Sequence, residues 1–152
     1  MSGVDYPLIN GRAYEGASVK INILKTYWRG IQSIGYGDAL EPNYVYELGS
    51  VAPIAMTVGQ YKPDDVSLEV LRERADAIRL AIKKAGGGGW GKYPMTITIH
   101  YDEVGNVPVT DILIGARVTK ASNEAKAGAD ALIEKWTIKP MSLSRNGLYL
   151  YK

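Results

Sequence analysis

The side chains able to support chemistry are few in this 152-residue sequence, and the first is its single histidine, His100. An imidazole acts as a general base or a metal ligand only beside partners: a carboxylate, a nucleophile or further ligands. The sequence offers no cysteine and no second histidine. His100 stands between Thr98 and Asp102 in a run that alternates apolar and polar residues. This placement favours a surface position on a strand.

Two further patterns also lead to no reaction. Asp64 and Asp65 are adjacent carboxylates, but they precede a helical pattern, where acids suit the positive end of the helix dipole. The glycine-rich run 86–91 follows a helical pattern, whereas a phosphate-binding loop precedes its helix and carries a GxxxxGK[ST] motif. The sequence therefore predicts no enzyme, no cofactor and no metal ion.

A nucleic-acid surface is weakly indicated. Lys25, Tyr27, Trp28 and Arg29 combine cations with aromatic rings, but they more simply form the end of a strand whose long side chains reach water. The net charge is +2, with 18 basic and 16 acidic residues spread along the chain. This balance excludes tight binding to nucleic acid through bulk charge.

A long β-hairpin is the clearest element. Between Met95 and Asp102 apolar and polar residues alternate, turn residues including Gly105 and Asn106 follow, and alternation resumes up to Val118. Because side chains alternate between the two faces of a strand, one polar row is expected. It comprises Thr96, Thr98, His100, Asp111 and Arg117.

An amphipathic helix is predicted over residues 67–85. Ser67 is the expected N-cap, Gly86 is the expected stop, and an apolar stripe repeats every three or four residues. The stripe comprises Leu68, Leu71, Ala75, Ile78, Ile82 and Ala85. Four glycines then link this helix to the hairpin.

The remaining chain supplies shorter strands. Residues 18–28 and 132–139 each alternate as strands, and Asn146-Gly147 predicts a turn in a C-terminal hairpin. Residues 1–16 have no apolar period and are expected to be an N-terminal extension of the domain, an N-terminal arm. Residues 36–63 contain two alternating segments around 49–53, which predict a second, looser hairpin.

These elements define the fold class: a single domain over residues 1–152, mainly β, forming an antiparallel sandwich or barrel with one helix packed on it. No apolar run reaches the length of a membrane span, and the first residues lack the pattern of a signal peptide. The sequence has 11 Tyr and 3 Trp but no Phe. Such amphipathic aromatics suit surfaces that become buried on association.

Several stretches, in order over roughly residues 18–150, resemble a bacteriophage tail tube protein. They are 44–49, 53–54 leading to 59–62, the helix 67–84, 95–101, 108–118 and 145–148. The most telling are Gly59-Gln60-Tyr61 and the spacing of Asp111, Gly115 and Arg117. The chain departs from the family after Pro53-Ile54, where it has the residues 55–58 (AMTV) instead of a glycine and basic residues.

The resemblance implies a structural virion protein whose hexameric rings stack into a hollow tube for DNA ejection. It also implies relatives among bacteriocin and type VI secretion tubes. Implied partners are further copies of the chain, then tail sheath, baseplate and tail-terminator proteins, with a tape-measure protein in the lumen. DNA would be present only in transit, no membrane is involved, and the subunit would be made in the host cytoplasm.

On this interpretation the polar row of the long hairpin faces the lumen, and residues 36–63 form an extended loop that reaches the next ring. The expected contacts between subunits or rings are Tyr44, Tyr46, Leu48, Ile54, Met56, Tyr61, Asn146 and Gly147. An alternative for the loop is that it folds over its own sheet. Alternatives for the protein are a tail-completion or baseplate ring on the same fold, or a small-molecule-binding β-barrel.

Overall fold

The computed structural model describes residues 19–86, 88–102, 108–128 and 131–152, and within them the chain forms thirteen strands and one helix. The predicted N-terminal arm, residues 1–16, lies outside the described residues, and so do the turn residues Gly105 and Asn106. The strands are β1 Val19–Ile23, β2 Thr26–Tyr27, β3 Ile31–Gly35, β4 Asp38–Glu41, β5 Tyr44–Val45, β6 Ala55–Met56, β7 Gln60–Pro63, β8 Val66–Leu71, β9 Met95–Tyr101, β10 Val109–Asn123, β11 Ile133–Lys139, β12 Ser142–Arg145 and β13 Leu148–Tyr149. The helix is α1, Arg72–Gly86.

The main sheet follows the order β2-β1-β9-β10-β11-β8-β3, and β12 and β13 join it beside β10. Every pairing is antiparallel. The predicted class, mainly β with one helix, is confirmed, although the described strands do not close into a barrel. The predicted long hairpin is also confirmed, since β9 and β10 pair directly.

Strand β10 changes sheet partners along its length, and the change occurs at a bulge. Its first half pairs with β9 and β12, and its second half pairs with β11. Gly115 has a φ of +66°, and the register with β9 shifts between Leu113 and Ala116. In a regular strand, residues three positions apart point to opposite faces. Because the bulge adds one residue, Leu113 and Ala116 are both buried. The alternation expected to run from Asp111 to Arg117 breaks at this point.

The core lies between the two halves of the folded sheet and beneath the helix. It consists of apolar side chains that alternate along β1, β8, β9 and β11, with further contributions from β10, β12 and α1. They are Ile21, Ile23, Val66, Leu68, Val70, Ala75, Ile78, Ile82, Met95, Ile97, Ile99, Leu113, Ala116, Val118, Trp136, Ile138 and Leu143. Complete burial of a large apolar side chain contributes about 1.5–3 kcal/mol.

The helix packs the middle of its predicted stripe on the sheet, but it begins later than expected and leaves Ala85 exposed. Ala75, Ile78 and Ile82 are buried in α1, as the period predicts. Ser67 is not an N-cap, because it belongs to β8, which pairs with both β11 and β3. In this strand Val66, Leu68 and Val70 all face the core. Leu68 fits both periods, and the sheet pairing decides between them.

A buried carboxylate joins the helix to β11. The Glu134 side chain is fully buried, and its Oε2 accepts hydrogen bonds from Arg79 and from the Trp136 indole N–H. Arg72 Nη1 lies 3.6 Å from Oε1. The Arg79 guanidinium also stacks 4.8 Å from the centre of the Trp90 ring. A buried charge needs such partners, so this cluster fixes where α1 sits.

The sequence pattern hid a tight turn near the start of the described chain. Residues 18–28 are not one strand, because Leu24 and Lys25 have φ values of 58° and 63° and reverse the chain between β1 and β2. Two consecutive left-handed residues fit a two-residue hairpin, usually marked by Gly or Asn. Here Trp28 Nε1 donates to the Ile23 carbonyl at 3.0 Å, which helps to hold the turn.

Candidate assembly surfaces

Residues 38–63 form a long hairpin, here called the arm, which is built from two short antiparallel ladders. At its base β4 pairs with β7, from Asp38 opposite Pro63 to Glu41 opposite Gln60. Further out β5 pairs with β6, with Tyr44 opposite Met56. The predicted looser hairpin is thus confirmed, and its strands pair with each other rather than with the main sheet.

The arm carries the largest run of exposed apolar side chains in the described chain. Leu48 and Val51 at the tip are fully exposed, and every other member exposes at least two fifths of its surface. The set comprises Tyr44, Val45, Tyr46, Leu48, Val51, Ile54, Met56 and Val58. A concentration of exposed apolar side chains of this kind makes the arm a candidate interaction surface. A loop folded over its own sheet would have buried these residues instead.

A close approach of the backbone shapes the middle of the arm. Gly59 has a φ of +95°, and a Cβ atom built there would lie 2.5 Å from the Glu41 carbonyl oxygen. Only glycine tolerates both conditions. Between the two ladders, Asn43 and Thr57 bond through backbone and side chain, with Thr57 N donating to Asn43 O at 2.8 Å. The arm is therefore hydrogen-bonded along its length.

The base of the arm is tied to the C-terminal strands by a carboxylate. The Asp38 side chain is almost fully buried and accepts from Tyr61 O–H at 2.8 Å and from Arg145 Nη1 at 2.6 Å. The Tyr61 oxygen in turn accepts from the Leu143 backbone N–H at 3.0 Å. Burial first, then the bond to Asp38, raises the pKa of Tyr61 to about 12. The arm therefore leaves the domain at a fixed position.

A second tyrosine fixes the strand that leads into the arm. Tyr36 O–H donates to Asp111 Oδ2 at 2.5 Å and also contacts the Tyr101 hydroxyl. Burial, the Asp111 bond and the Tyr101 bond all raise the pKa of Tyr36. Asp111 stands opposite Ile99 in the ladder, so it shares the side of Ile99 and not the polar side of β9.

The polar side of β9 continues across its neighbours. Lys20 and Thr110 both stand opposite His100, and His100 Nδ1 lies 2.7 Å from the Thr110 hydroxyl. One position along the face, Asn22 and Ile112 both stand opposite Thr98. The face formed by these residues and Thr96 is called the polar face. Lys20 is the only Lys, Arg, Asp or Glu among these residues.

The structure brings together most, but not all, of the residues predicted for these surfaces. Tyr44, Tyr46, Leu48, Ile54 and Met56 lie together on the arm and are exposed. Thr96, Thr98 and His100 share the polar face. The remaining predicted residues are placed differently.

Five predicted residues lie outside these two groups. Asp111 is turned toward Tyr36 and so leaves the predicted polar row, whereas Arg117 lies beyond the bulge, opposite Lys139, with its side chain exposed. Tyr61 forms hydrogen bonds with Asp38 and Leu143 of its own chain at the base of the arm. Asn146 and Gly147 form the predicted turn between β12 and β13, with φ values of 52° and 84°.

Two residues that hold the arm, Asp38 and Arg145, were not predicted from the sequence. No local pattern marks them, because they are more than a hundred positions apart and meet only when β4 and β12 become neighbours. Val45, Val51 and Val58 on the arm were also missed. Their exposure follows from the arm leaving the sheet, and alternation alone does not reveal it.

Metal ligands, membrane-spanning helices and clefts are three further features of the described ranges that bear on function. There, no three His, Cys, Asp or Glu side chains come together as a metal site requires. No helix of the described chain has the length and apolarity to span a membrane. Two open clefts of this part have volumes of about 560 Å³ each, and one of them is lined by residues from 122–126 and 131–135.

Solved structures with this fold come from tubes and tail-like assemblies. A chain from the PVC extracellular contractile injection system, in its sheath/tube terminator, matches with a TM-score of 0.70 and 13% identity over 93% of this chain and 98% of that one. A chain from the sheath–tube complex of the same system matches with a TM-score of 0.66 and 14% identity over 95% of each. The SPP1 tail tube matches with a TM-score of 0.63 and 11% identity over 90% of this chain and 81% of that one.

These similarities give the chain a tail tube protein fold, as its sequence resemblance indicated. No protein-family model matches the sequence, and no curated protein sequence matches it either.

Proposed function

We propose that this protein is a structural tube subunit, not an enzyme, in a phage tail or a related injection apparatus. Six copies form a ring, and rings stack into a hollow tube through which DNA passes during ejection. The arm is the observation that carries this proposal. It is a hydrogen-bonded hairpin, tied to the domain at its base and apolar toward its tip, which suits it to reach another subunit.

The arm contacts the next ring with its exposed apolar residues. Burying the side chain of a residue such as Leu48, Ile54 or Met56 contributes about 1.5–3 kcal/mol. Tyr44 and Tyr46 add large rings with polar tips, a residue type common in such interfaces. Repeated around a ring, these contacts favour stacked rings over free ones.

The polar face is assigned to the lumen. Thr96, Thr98 and His100 give it small polar groups, and Lys20 is its only full charge. DNA phosphates bind strongly to densely cationic surfaces, so a sparsely charged lining lets a polyanion slide. Around the ring, neighbouring subunits extend one another's sheets, because free strand edges otherwise lead to aggregation.

The partners follow from this placement. Tail sheath, baseplate and terminator proteins contact the tube from outside or at its ends, and a tape-measure protein fills the lumen before ejection. The mature protein then resides in the virion after synthesis in the host cytoplasm. The similarity to chains of a sheath–tube complex and a tail tube supports these assignments.

The test is a double substitution viewed by negative-stain electron microscopy. Tyr46→Ser with Ile54→Ser should leave the circular dichroism spectrum unchanged and abolish long tubes, because both side chains are exposed in the isolated subunit. The matched control is Leu80→Ser with Leu132→Ser, which removes two exposed apolar side chains away from the arm. Normal tubes from the arm variant would contradict the proposed role of the arm.

A second candidate is a ring that completes or terminates a tube. The similarity to a chain of a sheath/tube terminator favours it, since that structure shares the fold. The same microscopy separates the two: the unmodified tube subunit should form long tubes, whereas a terminator should form single rings. A stable monomer with no assemblies would contradict both candidates.

A further inference from the structure

A second exposed apolar surface lies at the C-terminal end of the chain. It is called the C-terminal patch and comprises Leu148, Leu150, Tyr151 and Lys152. Leu148 exposes three quarters of its surface and Leu150 nearly half. The strand pair β12–β13 supports the patch, with Arg145 opposite Leu148 in the ladder. Two neighbouring exposed leucines make this a candidate surface for contact in an assembly.

The C-terminal patch is held firmly although it ends the chain. The Tyr151 ring centre lies 4.3 Å from that of Tyr61, and the Tyr151 hydroxyl lies 2.8 Å from Ser142 Oγ. Lys152 Nζ sits 4.4 Å above the Tyr149 ring, a cation–π contact. Because Tyr61 belongs to the base of the arm, the patch is rigidly placed beside that base.

We propose that the C-terminal patch receives the arm tip of a second copy of this chain. The inference rests on the proposed tube function and names the surface on which the arm docks. Residues 42–59 of the arm carry one charged side chain, Glu47. Residues 141–152 carry Arg145, which is bound to Asp38, and Lys152, which is the cation left for Glu47. Apolar residues therefore meet apolar residues, and a carboxylate meets a cation. Such complementarity fixes register and excludes wrong partners.

The geometry requires the contact to be between copies. About ten residues separate Asp38 at the base from Leu48 at the tip, and an extended strand rises about 3.3 Å per residue, so the tip lies up to roughly 30 Å from the base. Leu48 and Val51 at the tip are fully exposed, so the tip does not contact the patch of its own chain. When the tip of one copy binds the C-terminal patch of a second copy, the tip of that second copy stays free to bind a third. Such a head-to-tail contact repeats without closing, as a growing stack requires.

The competing arrangement is tip against tip. It would bury the same apolar residues, but it would place Glu47 of one copy near Glu47 of the other. It would also be self-complementary, so it would join two copies or two rings and then stop. The C-terminal patch would remain uncovered in that arrangement.

Cross-linking tests the proposal directly, because the chain has no cysteine of its own. Leu48→Cys marks the tip and Leu148→Cys marks the patch; both positions are exposed, so the fold should tolerate the changes. One variant carries a tag that gives the mixed product its own size on a gel. Mixing the two with a short thiol-specific cross-linker should give a tip-to-patch product, and the double variant should give a ladder of covalent multimers.

The matched control replaces the patch cysteine with Leu132→Cys, another exposed leucine on a different part of the surface. The proposal is overturned if the tip couples to Leu132→Cys as efficiently as to Leu148→Cys. It is also overturned if Leu48→Cys alone gives the main product, since that result would show tip-to-tip contact.

A charge exchange gives an independent measurement. Glu47→Lys and Lys152→Glu should each raise the protein concentration needed for half-maximal tube assembly, by up to about fivefold for one exposed ion pair. Combined in one chain, the two changes should restore the normal value. If tubes form normally in all three variants and no tip-to-patch product appears, only this inference fails. If the unmodified protein forms no tubes or rings, the proposed function fails first.

Discussion

The guanidinium of Arg145 donates a hydrogen bond to the carboxylate of Asp38 across 2.6 Å and thereby joins the C-terminal hairpin to the base of the arm. Asp38 is nearly fully buried, whereas Arg145 remains about half exposed. The pair therefore has one end in a low-dielectric environment and the other in water. It holds the arm and the C-terminal patch in a fixed relation within one subunit.

Removing the carboxylate should weaken the base of the arm. Asp38→Ala leaves Tyr61 and Arg145 without their acceptor, and the loss of such a bonded group costs about 1–3 kcal/mol. The measurement is the free energy of unfolding in urea. Glu41→Ala is the control, since it removes an exposed carboxylate from the same strand and should cost less than about 0.5 kcal/mol. Equal effects of the two changes would show that Asp38 is not a structural anchor.

The helix offers a pair of substitutions that differ mainly in burial. Ile78 is fully buried against the sheet, whereas Leu80, two positions later, exposes about half of its surface. Ile78→Ala should lower the free energy of unfolding by about 2–5 kcal/mol because it leaves a cavity. Leu80→Ala should change it by less than about 0.5 kcal/mol. A small effect at Ile78 would mean that the stripe does not face the core.

Two glycines of the arm separate backbone strain from steric conflict. Gly49 and Gly59 both have positive φ values, of +84° and +95°. A Cβ at Gly59 would lie 2.5 Å from the Glu41 carbonyl oxygen, whereas nothing lies within 4 Å of one at Gly49. Gly59→Ala should therefore displace the outer arm and stop tube growth, while Gly49→Ala should retain it at a cost of about 1 kcal/mol in local strain. Tubes that grow equally well from both variants would contradict this account.

The sequence was sufficient for those elements whose period was unbroken. Strand β9 alternates without interruption and was predicted at its observed position. The α1 stripe was placed at Ala75, Ile78 and Ile82, although the helix start was wrong. Leu68 satisfies the periods of helix and strand alike. Its strand state follows from pairing with β11, which no local pattern contains.

Non-local features account for the remaining errors. Alternation alone places Asp111 and Arg117 on one face of β10. The bulge at Gly115 shifts the alternation by one residue and so separates them. The partnership of Asp38 with Arg145 needs two strands that only the fold brings together. Most of the exposed apolar residues of the arm were therefore predicted from the sequence. The residues that fix the base of the arm to the domain were not.

The buried cluster beneath the helix predicts a large effect at one carboxylate. Glu134→Ala leaves Arg79 without its fully buried partner and removes the acceptor for the Trp136 indole N–H. Arg79 is partly exposed and keeps its bond to Asp76, so the main cost is the buried indole N–H left without an acceptor, about 1–3 kcal/mol. Unfolding monitored by tryptophan fluorescence measures the loss. Glu69→Ala is the control, because Glu69 makes only a distant contact with exposed Lys135 on the sheet surface. A comparable loss in both variants would contradict the role of the cluster.

The base of the arm should also respond to alkaline pH. Burial and the hydrogen bond to Asp38 raise the pKa of Tyr61 to about 12, whereas a tyrosine in an unfolded chain ionises near ~10. As pH rises above about 10, the unfolded state loses this proton first, so stability falls until the folded state ionises near 12. Below pH 10 the contribution is fully present.

Tyr61→Phe removes the ionising group and its bond to Asp38. The variant should be less stable than the unmodified protein at neutral pH, and its stability should decline less steeply between about pH 10 and 12. Tyr36 also has a raised pKa and remains in both proteins, so the difference between the two pH curves isolates Tyr61. Urea unfolding at a series of pH values measures both curves. Parallel curves from neutral pH to 12 would show that the Tyr61 hydroxyl is not held by Asp38 in solution.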